Sequence, residues 1–240
     1  MITLADGASA TSSSDGVSIS GDVITITQEG RYEFTGTLTN GQILVNATKE
    51  EKVDIYFNGV SITSSSSAPV YVLSADTCTI HLIEGSTNYI ADTASNEKTA
   101  AIFSKDDLTI KGSGTLTVVG NAKHAIKSNN DVKVKNGTLY LSAVSAGIYG
   151  EDSIQVSGGT IIVTSCKDGL KACDSTEVDG YVTVEDGSID VQNATGNGIQ
   201  ADVSITFYGG YVKVHSTKTA LNCDTIQGES GNLSDYFEEY

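Results

Sequence analysis

Six oxygen-bearing side chains recur at two neighbouring positions of the chain. Asp106, Asn130, Asp152 and Asp174 share one, and Asp107 and Asp131 share the next, where Ser153 and Ser175 follow them. Oxygen-only ligands suit a hard cation such as Ca2+ rather than zinc or copper. Asp and Asn also favour turns by bonding their local backbone, so each residue reads equally as turn chemistry. A second set mixes amines, a phenol and amides: His124, Lys127, Tyr149, Asp168, Lys171, Asn197 and Gln200. Tyr stacks on a sugar ring, while Lys and the amides hold hydroxyls or a carboxylate. A lysine of lowered pKa beside a cation also suits the base of a β-elimination, with Lys171 the first candidate and Lys127 the second. The stretch KDGLKACD, Lys167 to Asp174, holds members of both sets.

What aligns these residues is a repeat. Ile102, Ile126, Ile148, Leu170, Ile199 and Leu221 anchor six similar segments, and four of the five steps are 22 to 24 residues. The longer step carries an insertion, Ser175 to Gly180. A small residue precedes each anchor and another follows two later, as Gly169 and Ala172 flank Leu170. Two alternating apolar pairs follow, such as Leu108 with Ile110 and Leu116 with Val118, separated by a glycine turn. Period-two alternation buries one face of a strand. Three short strands and three turns in about 22 residues make one coil, which buries its inner face only by stacking on others. The expected fold is all-β, a right-handed parallel β-helix. KDGLKACD is then a coil corner with Leu170 as its core anchor. The residue after each anchor, from Phe103 through Lys127, Tyr149, Lys171 and Gln200 to Asn222, is expected to face solvent. Stacked carboxylates about 4.8 Å apart repel unless a cation lies between them.

The first third is less regular. Ile43 and Val45, then Val70 and Val72, resemble anchor strands; Val53 to Phe57 and Cys78 to Leu82 resemble the second strand. Ser86 to Thr99 reads as an insertion loop, and Val17 to Leu38 as a cap on the open end. The expected divisions are 1–40 for the cap and first strands, 41–227 for the β-helix, and 228–240 for an acidic tail, a second cap or a linker. His81 and His215 read as surface residues without partners. Of 240 residues, 25 are Gly and one is Pro, with no Trp and a net charge of −16. That charge repels nucleic acid and anionic lipid, and no apolar run is long enough to span a membrane. An anionic partner would need a local basic patch or bridging cations. The four cysteines show no CxxC pair and read as free thiols.

The runs NGVSIT, SAPVYV, AAIFSKDDLTIKGSGTLTV, KSNNDVKVKNGTLYL and SGGTIIV resemble a family of exported bacterial proteins called carbohydrate-binding domain-containing. The resemblance covers about Gly16 to Gln227. It implies a β-helix similar to pectate lyases, Ca2+ near the acidic turns, an extracellular or cell-surface location, and binding of acidic plant polysaccharide such as polygalacturonate. The family's D-G-I-K motif is fullest at DGLK, Asp168 to Lys171. HAIK keeps Lys127 with His124 for the acid; AGIY has Ala146 and Tyr149; NGIQ has Asn197 and Gln200. A monomeric, calcium-dependent binder of acidic glycan is expected. A weak uronan lyase and a non-catalytic surface scaffold are the alternatives. The single arginine, Arg31, weighs against efficient catalysis.

Overall fold

The computed structural model describes residues 1–11, 15–174, 179–230 and 233–240. Ser175 and most of the expected insertion therefore lie outside the described residues. Anchors stack in register from Ile24 through Ile43, Val70, Ile102, Ile126, Ile148, Leu170 and Ile199 to Leu221, every pairing parallel. All but Leu221 have no solvent exposure. Fully burying such a side chain stabilises by about 1.5–3 kcal/mol, and the repetition of that gain along one axis is what makes the stack. The second and third strands of each coil stack likewise, as Ile80, Ile110, Val134 and Val156 do, and Ile90, Val118, Leu141 and Val163. Among the described residues, ten strands form the anchor sheet and sixteen a second sheet bent round the core. The protein is a right-handed parallel β-helix.

KDGLKACD is strand rather than loop over Asp168–Ala172. The small residue before the anchor is explained by space. A Cβ on Gly169 would lie 2.4 Å from the Gly198 carbonyl oxygen and 2.7 Å from a Val191 methyl. The glycine turn has a different cause: Gly112 has φ 108°, and a Cβ there would lie 2.2 Å from the Leu82 carbonyl oxygen.

Ser86 to Thr99 is not one insertion loop. Thr87–Asp92 is the third strand of its coil, paired in parallel with Lys52–Ser64 and Thr115–Gly120. The alternation was masked because Asn88 takes an inward place. It is fully buried, its Oδ1 accepting from the Gly59 and Val60 amides and its Nδ2 donating to Ser86 Oγ and the Thr115 carbonyl. At the open end Val17–Ser20 runs antiparallel to Val23–Ile26, and Ile2–Leu4 to Ala10–Thr11; Val23 to Leu38 already builds a coil. At the other end Phe237–Glu239 pairs with Tyr211–Ser216 after a short 3-10 turn, and Tyr236 stacks on Phe207.

Candidate functional site

The outer face of the anchor sheet carries one residue per coil in register: Tyr71, Phe103, Lys127, Tyr149, Lys171, Gln200, Asn222. The column does not face solvent throughout. Tyr71 and Phe103 stack with ring centres 5.4 Å apart and are buried with Ala68 and Ala100 in a small cluster of their own. Two bulky rings on adjacent coils cover one another, and Lys98 lies over Tyr71.

Beyond Phe103 the face opens into a cleft of about 400 Å³, lined by Lys123, Lys127, Lys167 and Lys171 around Tyr149, with Glu151 and Asp174 on its wall. The Lys127 ammonium sits 5.4 Å from the Phe103 ring centre and 5.2 Å from that of Tyr149. Burial lowers its pKa, with Glu151 pulling the other way and Lys123 adding repulsion. Tyr149 donates its hydroxyl to the Cys173 carbonyl at 2.8 Å, which fixes its ring. Burial, reinforced by nearby carboxylates, pushes its phenol up to about 12, so it stays neutral.

Two expected contact residues belong to the frame. His124 is 3% exposed, tilts against Tyr149, and accepts the Ala146 amide at Nδ1, which places its proton on Nε2. Burial, then repulsion from Lys123, Lys127 and Lys171, holds its pKa down to about 3. It contributes a neutral imidazole to the cleft, not a cation. Asp168 is 2% exposed and accepts the Asn197 amide at 2.9 Å, which ties its coil to the next. Both lie on the outer side of the corner, but neighbouring coils cover them. Asn197 donates to Gln200 Oε1, and Gln200 lines a separate groove with Asp202, Asn222 and Asp224.

The six ladder residues do not converge. Asp106 is buried, pairs with Lys49 and accepts the Ala75 amide. Lys133 lies between Asp107 and Asp131, at 3.6 and 2.9 Å, and Ser153 Oγ donates to Asp131. A lysine thus supplies the positive charge between stacked carboxylates that a metal was expected to supply. The Asn130 amide donates to Ser128 Oγ in an ordinary turn. Asp152 has a raised pKa, from burial first and then from Asp179, Asp131, Asp174 and Glu151. Among the described residues no three His, Cys, Asp or Glu side chains form a metal-holding group, and the ladder side chains are spread over separate contacts.

His81 is not partnerless: Nε2 lies 2.5 Å from Asp54 Oδ1, and the ring stacks on Tyr56 beneath Arg31. His215 is exposed and packs on Tyr240. The cysteines are free; burial raises the thiols of Cys78, Cys166 and Cys173 to about 12, which makes them poor nucleophiles. Lys123 and Lys167 are the cleft residues that sequence reasoning missed. Both lie three residues before an anchor, in a column reading Thr99, Lys123, Ser145, Lys167, Gly196, Lys218, so the register already contained the signal.

The structure superposes on that of a polysaccharide lyase-like protein from C. thermocellum, solved as a gadolinium derivative. The TM-score is 0.92, with 32% identity over 99% of this chain and 98% of that one. A carbohydrate-binding domain-containing protein of Acetivibrio thermocellus is 39% identical over 137 residues, covering 54% of this chain and 48% of the relative, so the match spans about half of that protein's length. The family model of carbohydrate-binding domain-containing proteins matches residues 20–234, and with nearly the whole solenoid inside that match the chain belongs to this family.

Proposed function

We propose that this protein binds acidic polysaccharide of the polygalacturonate kind, with the lysine cleft as its contact site. The observation that carries this is the gathering of Lys123, Lys127, Lys167 and Lys171 around one tyrosine on a chain of net charge −16. A surface so acidic repels a polyanion elsewhere, so one cationic cleft selects where it lands. Membership of a carbohydrate-binding family and likeness to a polysaccharide lyase-like fold favour a glycan over other polyanions. Calcium belongs to the proposal in a reduced form, as an ion that Glu151 and Asp174 of the cleft wall would share with the glycan's own carboxylate. A polymer of this kind is met outside the cell, so an exported or surface location, and action as a monomer, are part of the same reading.

Titration against polygalacturonate, its methyl ester and a neutral glucan, with calcium and with EDTA, tests it. Binding to the acid that falls on esterification and weakens in EDTA is expected. Equal binding to the neutral glucan would overturn acid selectivity, and EDTA without effect would remove calcium. Binding to none of them leaves the chain as a structural spacer.

One observation favours a second reading, uronan lysis. Burial lowers the Lys127 pKa, the direction that suits a base, so it replaces Lys171 as first candidate. It would take the proton alpha to the carboxylate as the glycosidic C–O bond at the adjacent carbon breaks, leaving an unsaturated end. Arg31, the single arginine, lies far along the solenoid over Tyr56 and holds no substrate in the cleft. Ultraviolet absorbance of the unsaturated product checks this reading, and its absence at alkaline pH removes it.

A further inference from the structure

The four cleft lysines are not a random cluster. They occupy two positions of the repeat, three before and one after the anchor, on the coils of Ile126 and Leu170. The coil between them, that of Ile148, carries Ser145 and Tyr149 at the same two positions. The register Lys127–Tyr149–Lys171 is unbroken, and the Ser145 amide bonds the Lys123 carbonyl as the Lys167 amide bonds that of Ser145. Two lysine pairs therefore stand two strand spacings apart, about 9.6 Å along the axis, with an aromatic ring midway. The pattern is bounded: the coil before has Thr99 and Phe103, and the coil after has Gly196 and Gln200.

An extended, twofold 1,4-linked pyranose chain turns equivalent substituents to the same side at every second residue, an advance comparable with two coils. We propose that the cleft is a two-point reader of such a chain. The glycan lies along the helix axis, each lysine pair grips one carboxylate, on residues n and n+2, and Tyr149 underlies the ring between. The carboxylate of that middle residue points away. Without a bridging cation, Glu151 and Asp174 on the wall repel a middle carboxylate turned inward, which helps set the register. The ligand class is thus a polysaccharide with a carboxylate on every second residue, whether a homouronan or an alternating acidic and neutral chain. This rests on the acidic-glycan reading above and adds spacing, direction and minimum length to it.

Calorimetric titration of the full chain with defined galacturonate oligomers tests the proposal. The trisaccharide should bind about tenfold more tightly than the disaccharide, the gain of one further charge-assisted contact. A trisaccharide neutral only at its central residue should match the fully acidic one; neutral at one end, it should fall to the disaccharide's affinity. The double variants Lys123→Gln with Lys127→Gln, and Lys167→Gln with Lys171→Gln, should each erase the difference between tri- and disaccharide. Equal affinity for the two oligomers, or a central neutral residue as costly as a terminal one, overturns the two-point reader while leaving acidic-glycan binding intact. No binding by any oligomer overturns both.

Discussion

Lys127 and His124 are three residues apart and read alike in sequence, as cationic or near-cationic neighbours, yet burial gives them opposite roles. Lys127 keeps its amine at the cleft between two rings, and its lowered pKa sets a pH limit on binding. A carboxylate is held only by the charged amine. Affinity for uronate should therefore fall as pH rises through the lowered pKa, earlier than the roughly 10.4 of a free lysine would allow. In Lys127→Met, affinity should drop about tenfold and that pH step should vanish, as titration across the range would show. His124 affects stability instead. Its folded pKa of about 3 lies below the unfolded value near 6.5, so the unfolded chain binds the proton more readily. Stability from this residue is fully present above about pH 6.5 and is lost as pH falls toward 3. His124→Asn keeps an acceptor for the Ala146 amide and has no proton to gain. Its melting temperature should fall less than that of the unaltered protein between those limits.

The strand is the element whose success and failure in sequence are both instructive. Inward alternation was legible wherever both inward places were apolar, as at Leu116 and Val118. It failed at Thr87–Asp92 because Asn88 is buried through four hydrogen bonds rather than through apolar surface. The small residue before the anchor was legible and its cause is steric. Gly169→Ala should cost about 1–3 kcal/mol, lowering the melting temperature by several degrees in a chain of this size, because a backbone carbonyl of the next coil cannot move aside. Between coils, Lys133 offsets two stacked carboxylates. All three groups are about a third exposed, so Lys133→Met should cost only about 1 kcal/mol at neutral pH. The loss comes from repulsion between like charges, which salt screens, so raising ionic strength should recover it, and thermal melts at low and high salt would show it.

At the scale of the whole molecule, a net charge of −16 surrounds one lysine-lined cleft. Local attraction and general repulsion both act on a polyanion, and salt screens both. Since repulsion acts over longer range, raising salt from very low levels should first speed association, and affinity should weaken once screening, about 8 Å at 0.15 M, reaches the cleft. A monotonic fall in association rate from the lowest salt would contradict a repulsive surround. The sequence by itself determined the solenoid. The repeat of anchor, small residue and alternating pairs is local, and each coil buries its inner face only by stacking on its neighbours. Only the tertiary structure decided which polar residues were free to act. Lys49 reaches Asp106 across 57 residues, Lys133 fills the carboxylate column, neighbouring coils cover His124 and Asp168, and Lys123 and Lys167 join Lys127 and Lys171. Charge compensation and burial depend on distance through space between coils, which periodicity along the chain does not specify until the coils are stacked.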